Sequence, residues 1–347
     1  MMLSGGLDST FVAASLAHRA AAQPVRCYIA TPLRDATDPA DGRAFDETPL
    51  VRLLASHYPG LLEIEEVQND ELVLPLDAAT DQTSETWWPT YAVANLVWLR
   101  KIEGLAADRG SLGILNGGHG NAAFSYSHSY AARFLLKRHD WRGLRGLATP
   151  ADSQPSDLPR LVKQRIIATL RRPPNVGLST RPAYLRWLAC HSTPHPAGRA
   201  PVAGRPLAAD PFSSRAVLDF AASMTPVEWN RSALTRGYAR MLGAGRIPDP
   251  IRLRTQRGSQ ASDVWHWMHH SRERYLDELR AIPNTSIAAD ALDTGKLIAI
   301  ASNWAWGDAM SPPPRGEIFV VDQALAFSAF CRDTTMRLRR LNRDHAH

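Results

Sequence analysis

A chain of 347 residues with 44% hydrophobic and 21% charged residues is long enough to bury a sizeable core and has the composition of a folded protein. No apolar run approaches the roughly 20 residues that a membrane helix needs, and the start Met1-Met2-Leu3-Ser4 has neither a basic nor an apolar leader region, so the expectation is a cytoplasmic protein without a spanning segment. The net charge of +6 comes almost wholly from arginine, the only lysines being Lys101, Lys137, Lys163 and Lys296; it permits binding to nucleic acid or acidic peptide but argues for a solvated basic surface, and nucleic acid is not the expected partner.

The first element in the chain is also its most distinctive. Leu3-Ser4-Gly5-Gly6-Leu7-Asp8-Ser9-Thr10 runs straight into the apolar stretch Phe11–Ala17. Two glycines let the backbone turn with its N–H groups facing one way, and a helix opening at Asp8 and Ser9 brings partial positive charge to that turn, which together read as an anion cradle. A Walker loop is excluded, because no Gly-Lys-Ser/Thr follows at the required spacing. Only Met1, Met2 and Leu3 precede the turn, whereas a buried strand usually has about five residues, so the first strand reads as truncated.

Next come short apolar runs alternating with helical stretches. Val25–Ala30 reads as a strand, 47–57 as a helix, 61–67 as a strand, 92–107 as a helix with Asn95, Trp98 and Leu99 at turn spacing, and 112–115 as a further strand. This alternation predicts an α/β fold, a doubly wound parallel sheet with helices on both faces and ligands at the carboxyl ends of the strands. The loop Asn116-Gly117-Gly118-His119-Gly120-Asn121 follows the last of these strands and should meet the first loop in space. We therefore expect a nucleotide-binding core over 1–145 and a mainly helical part over 146–347.

Eleven prolines between 150 and 211 break this second part into short helices such as Leu158–Leu170, an added helical lobe shaping a pocket at the sheet's edge. Helical periodicity returns after Ser214: Val217, Phe220, Ala221 and Met224 fall on one face, as do Leu234, Tyr238 and Met241, and both faces read as core. Asp263, His266 and His270 share a helix face at a spacing that metal sites use, but no zinc signature surrounds them and capping or surface roles account for them as well. Cys27, Cys190 and Cys331 are too scattered for a disulfide framework or a metal site and read as reduced and structural.

Ser4-Gly5-Gly6-Leu7-Asp8-Ser9 resembles the pyrophosphate loop of the ATP pyrophosphatase superfamily, in the form found in the synthetase domain of class B asparagine synthetases. The segment 110–125 is similar to the Gly-x-x-Gly-Asn loop of asparagine-synthetase-related proteins, including the macrolactam-forming cyclases of lasso peptide clusters. Asp210-Pro211-Phe212, the helix from Arg215, the stretch Arg231–Arg236 and Ile247–Gln260 continue the likeness to about residue 270, after which no motif stands out.

The resemblance implies the adenine-nucleotide α-hydrolase type of sheet and an ATP-dependent amide-forming ligase. ATP would be bound by Leu3, Ser4, Gly5, Gly6, Asp8, Ser9, Gly117, Gly118 and Asn121, with Asp8 and Asn121 as ligands of Mg²⁺. Position 121 has an amide where the family has its second magnesium carboxylate, which lowers metal affinity. The family's catalytic lysine falls on Gln256, or on Arg257 if the register moves by one, and Arg254 or Arg257 would substitute for its charge. Asparagine synthetases carry a glutaminase domain ahead of the loop. None lies within these 347 residues, so the expected source of the amine is solution, the substrate itself or a separate amidotransferase, and the expected carboxylate belongs to a small acid or to a precursor peptide, the latter with a leader-binding partner. The alternative is a catalytically degenerate ATP-binding partner subunit. RNA thiolation, known elsewhere in the superfamily, lacks a placed cysteine pair.

Overall fold

The computed structural model describes residues 1–19, 23–36, 38, 42–71, 73–86, 93–126, 135–136, 138–143, 204–229, 236–282, 286–306 and 311–344. The anticipated helix at 158–170 lies outside these residues. The first part follows the expected alternation: α1 (Leu7–Ala17), β1 (Val25–Ala30), α2 (Thr48–His57), β2 (Leu62–Val67), α3 (Pro75–Thr86), α4 (Leu96–Asp108, entered through a 3₁₀ turn at Val93–Asn95), β3 (Gly113–Leu115) and α5 (Gly120–Ala123). Then come β4 (Leu207–Ala209), α6 (Arg215–Ser223), α7 (Pro226–Trp229), α8 (Gly237–Leu242), α9 (Asp249–Arg252), α10 (Val264–His270), α11 (Arg272–Ala281), α12 (Ser286–Ala291), α13 (Thr294–Ser302) and the long α14 (Arg315–Asp344). Among the described residues no helix is long and apolar enough to cross a membrane.

The result is a mixed α/β protein with parallel strands. β1 pairs with β2, Val25 opposite Leu62 through Ala30 opposite Val67, and β3 pairs with β4, Gly113 opposite Leu207. Met1–Leu3 joins the two pairs. The N–H of Leu3 donates to Tyr28 O (2.8 Å), that of Tyr28 to Met1 O (2.8 Å), and that of Met2 to Leu115 O (2.7 Å). This sets the segment between β1 and β3, in the order β2, β1, Met1–Leu3, β3, β4.

Alternate residues of these strands enter different cores, as a pleated backbone dictates. Met1, Leu3, Cys27 and Ile29 pack with Val12 and Ala13 of α1, Val51 and Leu54 of α2 and Leu218 of α6. Met2, Tyr28, Val67, Ile114 and Ala208 face the other way, onto Ile102 and Ala106 of α4. Helices therefore cover both sides of the sheet, as buried parallel strands require. A third, mainly helical core joins Leu74–Ala79 and Val93–Val97 to α10, α11, α13 and α14 around Trp265, Trp267, Trp304 and Trp306, so early and late parts of the chain share it.

Two predicted faces hold in part: Val217, Ala221, Met224 and Tyr238 pack in or against the core, while Phe220 and Met241 are exposed. In α6 the buried residues are Leu218 and Ala221, while Phe220 is 51% exposed. The helix stops at Ser223 because Pro226 disfavours helical backbone ahead of it, and Met224 is already extended. In α8 Gly237, Ala239 and Arg240 are buried, Tyr238 is only half-buried and Met241 is exposed, while Leu234 lies outside the described residues. Arg240 occupies the inner face because its guanidinium donates to the carbonyls of Arg252 and Arg254 (2.8 Å for the latter).

Candidate active site

Leu3 ends the central segment, and the chain turns through Ser4, Gly5 and Gly6 into α1, which starts at Leu7 rather than at Asp8. The glycines serve close packing here. Gly6 is extended (φ −77°, ψ 149°), and neither Gly5 nor Gly6 has positive φ. A Cβ on Gly5 would lie 2.9 Å from Leu50 Cδ1 and 3.0 Å from Glu47 Cβ. Both serine hydroxyls brace the turn: Ser9 Oγ accepts from Ser4 N (3.1 Å), the two Oγ atoms share a 2.9 Å hydrogen bond, and Ser4 Oγ accepts from Gly6 N (3.2 Å). The N–H groups of the first turn of α1 have no carbonyl one turn earlier, so they remain as donors for an anion.

The two glycine loops do meet. A Cβ on Gly117 would lie 3.2 Å from Ser9 N, and one on Gly120 only 2.4 Å from Asp8 Cβ and Cγ. Asp8 is 8% exposed and its Oδ1 is buried without a hydrogen-bond partner. Burial pushes its carboxyl pKa above the usual range, against the opposing pull of the Ser125 hydroxyl and the Arg236 guanidinium; Ser125 lies nearby without closing a hydrogen bond of ordinary geometry. Gly118 N donates to Asn116 Oδ1 (3.0 Å), and His119 donates its backbone N–H (2.5 Å) to Asp210 Oδ2, with its Nδ1 2.8 Å from the same oxygen. Asp210, just after β4, also accepts from Phe212 N (2.9 Å), and thereby ties the second loop to the Asp-Pro-Phe segment.

The third segment reaches the cradle through Glu47. Arg254 Nη1 donates to Glu47 Oε1 (2.7 Å), with both side chains mostly buried, and Glu47 sits against both Gly5 and Gly258. Arg254 Nη2 is buried without a partner. Gln256 instead turns outward to Gly42 O (3.4 Å), and Arg257 is exposed, its carbonyl accepting from Ala44 N. Of Gln256 and Arg257, on which the family's lysine falls, and Arg254, named as a substitute for its charge, Arg254 is the one that reaches the first loop, through Glu47.

Asp8 and Asn121, the two residues expected to hold magnesium, stand in different surroundings. Asp8 offers an unfilled oxygen, but Asn121 Oδ1 accepts from Arg236 Nη2 at 2.9 Å, and among the described residues no group of three or more His, Cys, Asp or Glu gathers to hold a metal. Asp263, His266 and His270 do not converge either. Asp263 turns inward to accept from Leu33 N (3.0 Å), with burial raising its pKa to about 6, while His266 faces Asp35 at 3.7 Å.

A family model for asparagine synthase matches residues 1–185, the part that holds both glycine loops. The chain belongs to the asparagine synthase family. In general terms it is an ATP-dependent amide-forming ligase. A search among curated proteins finds no match. Glu47, Gly120, Asp210 and Arg236 are the members of this asparagine-synthase site that sequence reasoning gave no role. Each acts through a partner distant in the chain; Gly120, Asp210 and Arg236 fell within stretches singled out beforehand, and Glu47 stood only as the first residue of a predicted helix.

Proposed function

We propose that this asparagine-synthase-family chain adenylates a substrate carboxylate and joins the acyl group to an amine, on a sheet of the doubly wound adenine-nucleotide α-hydrolase type. The observation that carries the reading is the packing of Gly117 and Gly120 onto Asp8 and Ser9, which makes one cradle from two loops at neighbouring strand ends. N–H groups of the first α1 turn would hold the β- and γ-phosphates and leave the α-phosphorus exposed. A carboxylate oxygen attacks that phosphorus, the bond to the pyrophosphate oxygen breaks, and an acyl-adenylate and pyrophosphate result. The amine nitrogen then attacks the acyl carbon, AMP leaves with the electron pair of the cleaved C–O bond, and the nitrogen loses a proton. Positioning and electrostatic stabilisation supply most of the rate in such transfers. Arg254, held by Glu47 beside Gly5, is the nearby cation suited to the departing pyrophosphate.

The likeness of residues 110–125 to the Gly-x-x-Gly-Asn loop supports macrolactam formation on a precursor peptide as the specific reaction, with a small carboxylic acid as the simpler substrate. A separate amidotransferase or leader-binding protein is the partner each case calls for. The outward turn of Gln256 favours a second reading, an ATP-binding subunit without turnover. Exchange of labelled pyrophosphate into ATP, measured with a panel of carboxylic acids and short acidic peptides, tests the first: substrate-dependent exchange is the expected result, and ATP binding without exchange by any of them would favour the second.

A further inference from the structure

Arg236 stands in the left-handed region (φ 60°, ψ 31°) immediately before α8. That conformation costs a non-glycine residue of order 1 kcal/mol, and such residues persist where the surroundings hold them for a purpose. Its side chain crosses to the second glycine loop, where Nη2 donates to Asn121 Oδ1, and its charge reaches Asp8. The same wall therefore carries a carboxylate whose Oδ1 is buried and unfilled and a guanidinium fixed by a neutral amide. Were position 121 a carboxylate, it would neutralise Arg236. An amide orients the guanidinium without setting a second negative charge beside it and, among the described residues, leaves most of its five N–H donors for another acceptor. A planar guanidinium matches paired phosphate oxygens.

We propose that Arg236 is the polyphosphate-binding cation of this site, and that its guanidinium, rather than a divalent ion that Asp8 and a carboxylate at position 121 would hold, lets this chain grip pyrophosphate. The proposal rests on the nucleotide reading above and names the group that enforces it.

Calorimetric titration with inorganic pyrophosphate and with ATP, each in EDTA and in Mg²⁺, tests it on the wild type, Arg236→Gly, Asn121→Asp and the double variant. Glycine relieves the left-handed backbone, so Arg236→Gly should melt no lower than wild type and lose its side chain alone. The wild type should bind pyrophosphate in EDTA, and Arg236→Gly should weaken that binding at least tenfold. Asn121→Asp, which pairs with the arginine, should weaken it similarly, and the double variant should recover binding only when Mg²⁺ is present. Equal pyrophosphate affinity of wild type and Arg236→Gly in EDTA would overturn the role of Arg236, as would a wild type that binds only with Mg²⁺, and both outcomes leave the cradle standing. A wild type that binds neither ligand under any condition would overturn the cradle itself.

Discussion

Gly120→Ala is the sharpest probe of the contact between the two loops. The added methyl would lie 2.4 Å from Asp8 Cβ and Cγ and 2.6 Å from Oδ1, about 1 Å inside normal van der Waals separation. Gly120 opens α5 and has no positive φ, so helix propensity alone would make alanine better by about 0.5–1 kcal/mol. Overpacking a closed contact costs about 1–3 kcal/mol, and Asp8 is buried with little room to retreat, so the clash wins and stability should fall by about 1–2 kcal/mol. The larger effect should be functional. Moving one loop against the other by about an ångström disrupts the cradle, and a displacement of that size can cost about 10²-fold in turnover. Gly104→Ala, at an exposed position in α4 with nothing within 4 Å of the new methyl, is the matched control and should stabilise by about 0.5–1 kcal/mol. Thermal unfolding and ATP titration of the two variants read both effects. A Gly120→Ala protein that melts and binds ATP like the wild type would refute the packing argument.

Further predictions concern charge. Glu47→Gln leaves the guanidinium of Arg254 buried without its partner and should cost about 3 kcal/mol in denaturant unfolding, whereas Glu66→Gln, which breaks the exposed pair with Arg52, should cost less than about 1 kcal/mol; equal effects would contradict the burial assigned to the first pair. Buried Asp322 accepts a hydrogen bond from Tyr275 (2.9 Å), and burial raises its pKa from 3.8 to about 7. Because the folded pKa lies above the unfolded one, this carboxyl leaves stability undiminished below about pH 4 and erodes it as pH rises towards 7, by about 2 kcal/mol between pH 5 and 7. Asp322→Asn should flatten that fall in the melting curve, and an unchanged slope would show that Asp322 does not titrate there.

The fold and the site were unequally legible in the sequence. Val25–Ala30 and 61–67 stood out as apolar runs between turn residues, and 47–57 and 92–107 through helical spacing; the structure places an element within a few residues of each. β4 escaped notice because Leu207-Ala208-Ala209 has no β-branched residue and lies in a proline-rich stretch; its partner β3 makes it a strand. α3 is polar and is buried largely by packing against α14, an element from the far end of the chain. At the site, the glycine loops were visible as local motifs, and so was their convergence, since both follow strands of one sheet. The His119–Asp210 pair and the Arg236–Asn121 contact join residues some 91 and 115 positions apart, and no local spacing reports them. The left-handed backbone of Arg236 was equally hidden, because an arginine gives no cue for positive φ.

The central claim is that the opening turn and the second glycine loop jointly hold the phosphate tail of ATP. Competition calorimetry on the wild type and Gly117→Val tests it most directly, since a valine there would crowd Ser9 N, 3.2 Å from the first added carbon, at the start of the anion-binding turn. We predict that ATP binds the wild type, that pyrophosphate displaces it, and that Gly117→Val binds neither while remaining folded. ATP binding that pyrophosphate cannot displace, or that survives this substitution unchanged, would contradict the account.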